Sequence, residues 1–300
     1  MPPPPMTSGM FEGFQRRRLP GADGVEINAV VGGSGPPLLL LHGYPQTHVM
    51  WNKVAPTLAE RFTVVATDLR GYGDSSKPDS DPAHLVYSKR STANDQVAAM
   101  RALGFERFFV AGHDRGGRVA HRMALDHPGA VRALAVLDIA PTREMFKPTS
   151  FEFAMAYYHW FFLAQPFDLP ERLIGADPEY YLRRKTMAWS GGHEDVFGPE
   201  ALAEYIRCFK DPKTIHASCE DYRAAATIDI EHDDADGGLK VKAPLLALWG
   251  RRGVVHRLFD PLALWRTRAE DVRGEPLPTA HYVPEEAPDA TASRLIEFFR

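Results

Sequence analysis

Gly112-His113-Asp114-Arg115-Gly116-Gly117 lies between the apolar run Phe108-Phe109-Val110-Ala111 and the helical pattern Arg118–Leu125. The hexapeptide therefore reads as a strand-to-helix turn with a charged side chain at its apex. The backbone of the apex residue is held in a strained turn, and flanking glycines remove the side chains that would clash with strand and helix. Arg115, the next residue, offers its backbone N–H at a helix N-terminus, where partial positive charge gathers.

Working outward, short apolar runs alternate with longer helical patterns, the signature of a mostly parallel sheet flanked by helices. Strands are expected at Val25–Val31, Leu38–Leu41, Phe62–Thr67, Arg107–Ala111, Val131–Ile139, Pro244–Trp249 and Asp271–Glu275. Helices are expected at Ser91–Leu103, Gly116–Asp126 and Pro288–Phe299. After Pro141 the chain becomes crowded with aromatics, among them Phe146, Phe153, Tyr157, Trp160, Tyr181 and Trp189, and no buried-strand run interrupts it. This predicts a core made of residues 11–140 and 239–300 with an inserted helical lid (cap) over 141–238. Simple helical decoration of the sheet fits the same pattern. The acidic stretch Glu231–Gly238 reads as a flexible hinge, and the proline-rich residues 1–10 as a disordered tail.

An Asp at the apex can displace a leaving group from a tetrahedral carbon, forming an alkyl ester that water then cleaves at the Asp carbonyl carbon. The competing reading is an Asp that caps the following helix. The turn His42-Gly43-Tyr44-Pro45 follows Leu38–Leu41 and can aim the N–H of Tyr44 at the same oxygen as the N–H of Arg115, giving an oxyanion hole. Of the 12 histidines, His281 stands after the last strand, where a base that activates water is needed, and an imidazole suits that task near neutrality. The loop after Trp249 reads Gly250-Arg251-Arg252-Gly253 and offers no carboxylate to orient that base. Asp138, in Val136-Leu137-Asp138-Ile139, does. A charge in such an apolar run is expensive unless paired, so His281 is its expected partner. Arg115 and Arg118, three apart, can face one cavity and hold a substrate carboxylate by bidentate hydrogen bonds. Either could instead be salt-bridged to neighbouring structure, a reading preferred for Arg118 taken alone. The Asp68–Ser75 loop is assigned no chemistry.

Composition narrows the classes. With 300 residues, 44% hydrophobic, 25% charged and a net charge of -4, the chain has the make-up of a globular protein and no basic footprint for nucleic acid. A small anionic substrate would need local positive charge to offset that balance. No window is apolar enough for a membrane span. The two cysteines, Cys208 and Cys219, read as reduced thiols, and the N-terminus lacks signal-peptide features, so the expected compartment is the cytoplasm.

The segments HGYPQTHVMW (42–51), DLRGYGDSS (68–76), AGHDRGGRVAHRM (111–123), LDIAPT (137–142) and YYHWFFLAQP (157–166) together resemble the fluoroacetate (haloacetate) dehalogenases of the α/β-hydrolase fold. The likeness runs from about Glu26 to the C-terminus, and the last segment is the specific one. The resemblance implies Asp114 as nucleophile, His281 as base, Asp138 as acid, and Arg115 and Arg118 as carboxylate ligands. It further implies that His159, Trp160 and Tyr222 receive the leaving halide. The chemistry is consistent, since fluoride needs several directed donors and these side chains supply N–H and O–H groups. The implied reaction converts a small 2-haloacid and water to a 2-hydroxy acid and halide. No metal or organic cofactor is implied, and a homodimer is. Ala280 departs from the glycine common before the histidine, which could tighten the turn. The rival within the fold is an epoxide hydrolase with the same triad, using tyrosines such as Tyr157, Tyr158, Tyr181 or Tyr222 as proton donors. The rival outside catalysis is a binding protein on the same scaffold.

Overall fold

The computed structural model describes residues 9–300. The expected tail falls mainly outside the described residues; its last member, Met10, packs against the core. Eight strands form one sheet: β1 (Gln15–Pro20), β2 (Glu26–Gly32), β3 (Pro37–Leu41), β4 (Thr63–Thr67), β5 (Phe108–His113), β6 (Val131–Leu137), β7 (Leu245–Gly250) and β8 (Val272–Leu277). Their order is β1-β2-β4-β3-β5-β6-β7-β8. β1, β2 and β4 pair antiparallel, and every other neighbour is parallel. The inner strands are buried almost throughout, as unbroken apolar sequences such as Leu38–Leu41 and Leu245–Trp249 require when helices cover both faces.

All seven expected strands and three expected helices lie within two residues of their predicted ends. β1 had gone unread. Its sequence, Gln-Arg-Arg-Arg-Leu-Pro, hides a strand because it pairs on one side only and keeps its arginines on the open edge. Edge charge of this kind blocks further strand pairing.

Between β6 and β7 the described chain is helical, without a strand. The expected acidic hinge is not one: Ile228–Asp236 forms a helix. Arg122, on the helix Arg115–Asp126, bridges Asp233 at 2.8 Å and Asp236 at 2.5 Å, while Arg143 pairs with Asp234. Counter-charges distant in sequence, invisible in a local acidic run, stabilise the helix.

The register brings strand ends together. Leu41 sits beside Gly112, His113 beside Leu137, Leu137 beside Leu248, and Gly250 beside Leu277. β3 has β4 on one side and β5 on the other, so the chain winds in opposite directions from it. The crevice at the carboxyl ends of strands beside such a reversal is where open α/β sheets place ligands. Replacing Arg122 by Met should leave Asp233 buried without its partner. Urea denaturation should show a loss of about 3 kcal/mol; an unchanged midpoint would mean that the helix Ile228–Asp236 does not depend on this pair.

Candidate active site

Asp114 sits at the turn between β5 and the helix Arg115–Asp126, with φ 44° and ψ -115°. The flanking glycines allow this by close approach. A Cβ on Gly112 would lie 2.3 Å from the carbonyl oxygen of Gly116, and one on Gly116 would lie 2.4 Å from that of His42. Asp114 occupies the N-cap position, yet its side chain makes no capping hydrogen bond. Instead Oδ2 accepts the backbone N–H of Tyr44 at 3.1 Å. The capping alternative is thereby excluded by geometry. Burial alone would favour the neutral acid, but His281, His113, Arg115 and Arg118 outweigh it and hold the carboxyl below its ordinary range.

His281 follows β8. Its Nδ1 lies 2.7 Å from Oδ2 of Asp138, and its Nε2 is buried with no hydrogen-bond partner. Oδ1 of Asp138 accepts the N–H of Gly250 at 2.9 Å, so the arginine-glycine loop supplies an orienting amide in place of a carboxylate. Burial opposes the imidazolium, but the hydrogen bond and charge of Asp138, with Asp114 behind, raise the His281 pKa. Two further contacts fix the ring. The N–H of His281 donates to the carbonyl of Trp189 at 3.1 Å, and Nε2 of His113 donates to the carbonyl of His281 at 2.8 Å. Ala280 has no positive φ, so the missing glycine imposes no backbone strain, and its N–H donates to Glu286 at 2.7 Å.

The two arginines are arranged differently from expectation. Arg115, expected to present a fork to the substrate, is the salt-bridged one. Its Nε and Nη2 donate to the Asp221 carboxylate at 2.7 and 2.8 Å. Tyr72 donates to the same carboxylate at 3.0 Å, and Lys89 also pairs with it. Asp221 thus overrides the effect of burial and raises the Arg115 pKa. Only Nη1 of Arg115 is buried without a partner. Arg118, expected to be tied up if taken alone, has no carboxylate partner among the described residues. Its Nη1 donates to the carbonyl of Ala140 at 3.0 Å and to Oγ1 of Thr142 at 2.8 Å, and its Nε has no partner. Arg118 is 4% exposed, and burial, aided by Arg115, lowers its pKa to about 10. The Asp114 carboxylate acts on this guanidinium through space, without a hydrogen bond to it.

His159, Trp160 and Tyr222 come from two different helices, Tyr158–Leu163 and Pro212–Ala226. The structure brings His159 and Tyr222 together, with ring centroids 5.5 Å apart. Nδ1 of His159 and the hydroxyl of Tyr222 are buried without hydrogen-bond partners. Trp160 stacks on Tyr157 and lies under the Arg118 guanidinium at 4.7 Å. Burial, then Lys185, hold His159 well below its ordinary pKa, so it is neutral.

Asp221 and Lys89 escaped the sequence reading, and Tyr72 and Trp189 were read there without a role in the site. Asp221 directly precedes Tyr222, and that adjacency was the signal for it. Tyr72 lies in the Asp68–Ser75 loop, which had been assigned no chemistry; the loop is in part an anchor for Arg115.

An aspartate at the apex of the strand-to-helix turn, an amide aimed at it and a paired histidine after the last strand define an α/β hydrolase. The chain belongs to the alpha/beta hydrolase fold family, which matches residues 36–192. It is 52% identical to the fluoroacetate dehalogenase of a Burkholderia species, over 96% of this chain and 95% of that one. It is 36% identical to the soluble epoxide hydrolase of Corynebacterium sp. strain C12, over 92% of this chain and 94% of that one. Among solved structures, an alpha/beta hydrolase from Nostoc sp PCC 7120 superposes with a TM-score of 0.95 at 59% identity, covering 97% of this chain and 99% of that one.

Asp138→Asn removes the charge that raises the His281 pKa. Proton titration of the His281 ring by NMR should therefore show a lower midpoint in the variant than in the wild type. An unmoved midpoint would mean that Asp138 does not set the protonation of this histidine.

Proposed function

We propose that this protein hydrolyses the carbon–halide bond of a small 2-haloacid, with fluoroacetate as the reference substrate, through an ester on Asp114. The observation that carries this reading is the buried Arg118, which lacks a carboxylate beside a buried aspartate. Leaving a buried ion without a hydrogen-bonded counterion is costly, and a substrate carboxylate supplies one. Nε of Arg118 and Nη1 of Arg115 are the unpartnered donors for it. The carboxylate would therefore be shared between two guanidiniums rather than gripped by the fork of one.

In this reading Oδ1 of Asp114 attacks Cα as halide departs toward His159, Trp160 and Tyr222, and an alkyl ester forms. His281 takes a proton from water through Nε2, and the hydroxide attacks the Asp114 carboxyl carbon. Oδ2, already accepting the N–H of Tyr44, becomes the oxyanion, with the N–H of Arg115 as second donor. Collapse returns the carboxylate and releases the 2-hydroxy acid; from fluoroacetate the products are glycolate, fluoride and a proton. Esterification also removes the negative charge of Asp114, one of the groups raising the His281 pKa, so the base becomes easier to keep neutral when it is needed. Residues 141–238 act as the lid over a core of 11–140 and 239–300, keeping water from competing with these donors. The reading extends to a homodimer, by family resemblance, and to a reducing cytoplasm, which the buried free thiols of Cys208 and Cys219 suit.

An epoxide hydrolase is the second reading, favoured by the unpartnered Tyr222 hydroxyl, which could protonate an epoxide oxygen. It leaves Arg118 without a hydrogen-bonded carboxylate.

Three outcomes follow. Wild type should release fluoride and glycolate from fluoroacetate and Asp114→Asn should release neither; turnover of styrene oxide alone in the same assay would select the epoxide reading. Arg118→Gln should lower kcat/KM for haloacetates by about 100-fold, the effect of losing a charged hydrogen bond to a buried partner. Tyr222→Phe should depress fluoroacetate turnover more than chloroacetate turnover, because fluoride depends more on directed donors; equal losses would remove Tyr222 from the halide site.

A further inference from the structure

The chain carries a net charge of -4, yet the cleft that leads to His281 has the opposite sign. It has a volume of about 410 Å³ and runs between the helix Pro178–Trp189 and the segment Arg252–Arg257, with Tyr157, His281 and Asp138 at its inner end. Four cationic side chains line it, Arg184, Lys185, Arg252 and Arg257, against the single carboxylate of Asp138. That carboxylate is already bound to His281 and to the N–H of Gly250. Arg252 reaches Glu286 at 3.3 Å across the surface. Arg184, Lys185 and Arg257 form no ion pair among the described residues.

Lys185 is the unusual member. It is 2% exposed, and its ammonium lies 3.4 Å from the ring centroid of Tyr158, 5.2 Å from Trp189 and 5.9 Å from Tyr181. Aromatic faces replace part of the lost hydration, but they supply no counterion. Burial accordingly pushes Lys185 down to about 7. The Trp189 ring also lies 5.1 Å from that of His281 and 4.5 Å from that of His159. Lys185 is thus separated from the candidate base and halide ligand by one indole.

We propose that this cleft is an anion antechamber, in which Arg184, Arg252 and Arg257 gather a small carboxylate and Lys185 seats it before it passes to Arg118. The identity of the carboxylate as a haloacid rests on the function proposed above; the antechamber itself rests on the cleft. A converging cationic surface raises the local concentration of an anion and speeds its capture, an effect lost as salt screens it. This resolves the conflict between an anionic protein, an anionic nucleophile and an anionic substrate.

Two experiments test the antechamber, and the second does not depend on turnover. The double variant Arg184→Gln/Arg257→Gln should show about tenfold lower kcat/KM for fluoroacetate at low salt, with kcat unchanged and the difference from wild type vanishing near about 1 M salt. An unchanged kcat/KM with the same salt slope would overturn the proposal. In an Arg118→Gln background, which weakens the inner carboxylate site, acetate should still shift the NMR resonance of the Trp189 indole N–H. Adding Lys185→Met should abolish that shift. No shift in the Arg118→Gln protein, or one that survives loss of Lys185, would contradict an anion seat at Lys185. If the wild type turns over no haloacid while the acetate response behaves as described, the function fails and the antechamber stands.

Discussion

The structure depends on keeping a carboxylate ionised where water is scarce. Asp114 is buried, and its own desolvation favours the neutral acid, which is no nucleophile. Its surroundings reverse that preference through the N–H of Tyr44 on one oxygen and the charges of Arg115, Arg118 and His281 around it. Each of these groups must itself be held in place. Arg115 is pinned by Asp221, which Tyr72 and Lys89 also bind, and Lys89 reaches Asp229 at 3.4 Å. His281 is pinned by Asp138, which is pinned by Gly250. The site is therefore a chain of alternating charges, and Arg118 is the member that no carboxylate hydrogen-bonds among the described residues.

That arrangement divides labour between the sheet and the helical insertion. Tyr44, Asp114, Asp138, Gly250 and His281 all lie at or after the carboxyl ends of strands, where register fixes their relative positions. His159, Trp160, Lys185, Trp189, Asp221 and Tyr222 come from helices between β6 and β7. In the proposed reaction the sheet carries the covalent chemistry, and the insertion carries the donors and cations that can distinguish one leaving group or anion from another. Kinship to both a dehalogenase and an epoxide hydrolase is understandable on these terms, because a shared strand-end constellation can serve either electrophile.

Much of this could be read along the chain. The turn at Asp114 was legible because strand, glycines and helix are contiguous, and the same contiguity exposed the inner strands. Asp138 was legible because a charge in Val-Leu-Asp-Ile demands a partner. What escaped depends on distant residues. β1 is a strand only because β2 lies beside it. The helix Ile228–Asp236 is stable only because Arg122 and Arg143 face its carboxylates. The ion pairing of the two arginines escaped for the same reason: their spacing predicts a shared cavity but cannot say that Asp221, more than a hundred positions away, pairs with Arg115 and not with Arg118.

The central claim is that Asp114 itself donates the oxygen found in the product. A single turnover of fluoroacetate with enzyme in excess, in water enriched in heavy oxygen, tests it directly. The account predicts unlabelled glycolate and label in the Asp114 carboxylate, because the first hydroxyl oxygen comes from the protein and water replaces it there. Label in the glycolate with none in Asp114 would mean that water attacks the substrate carbon directly, and would contradict the account.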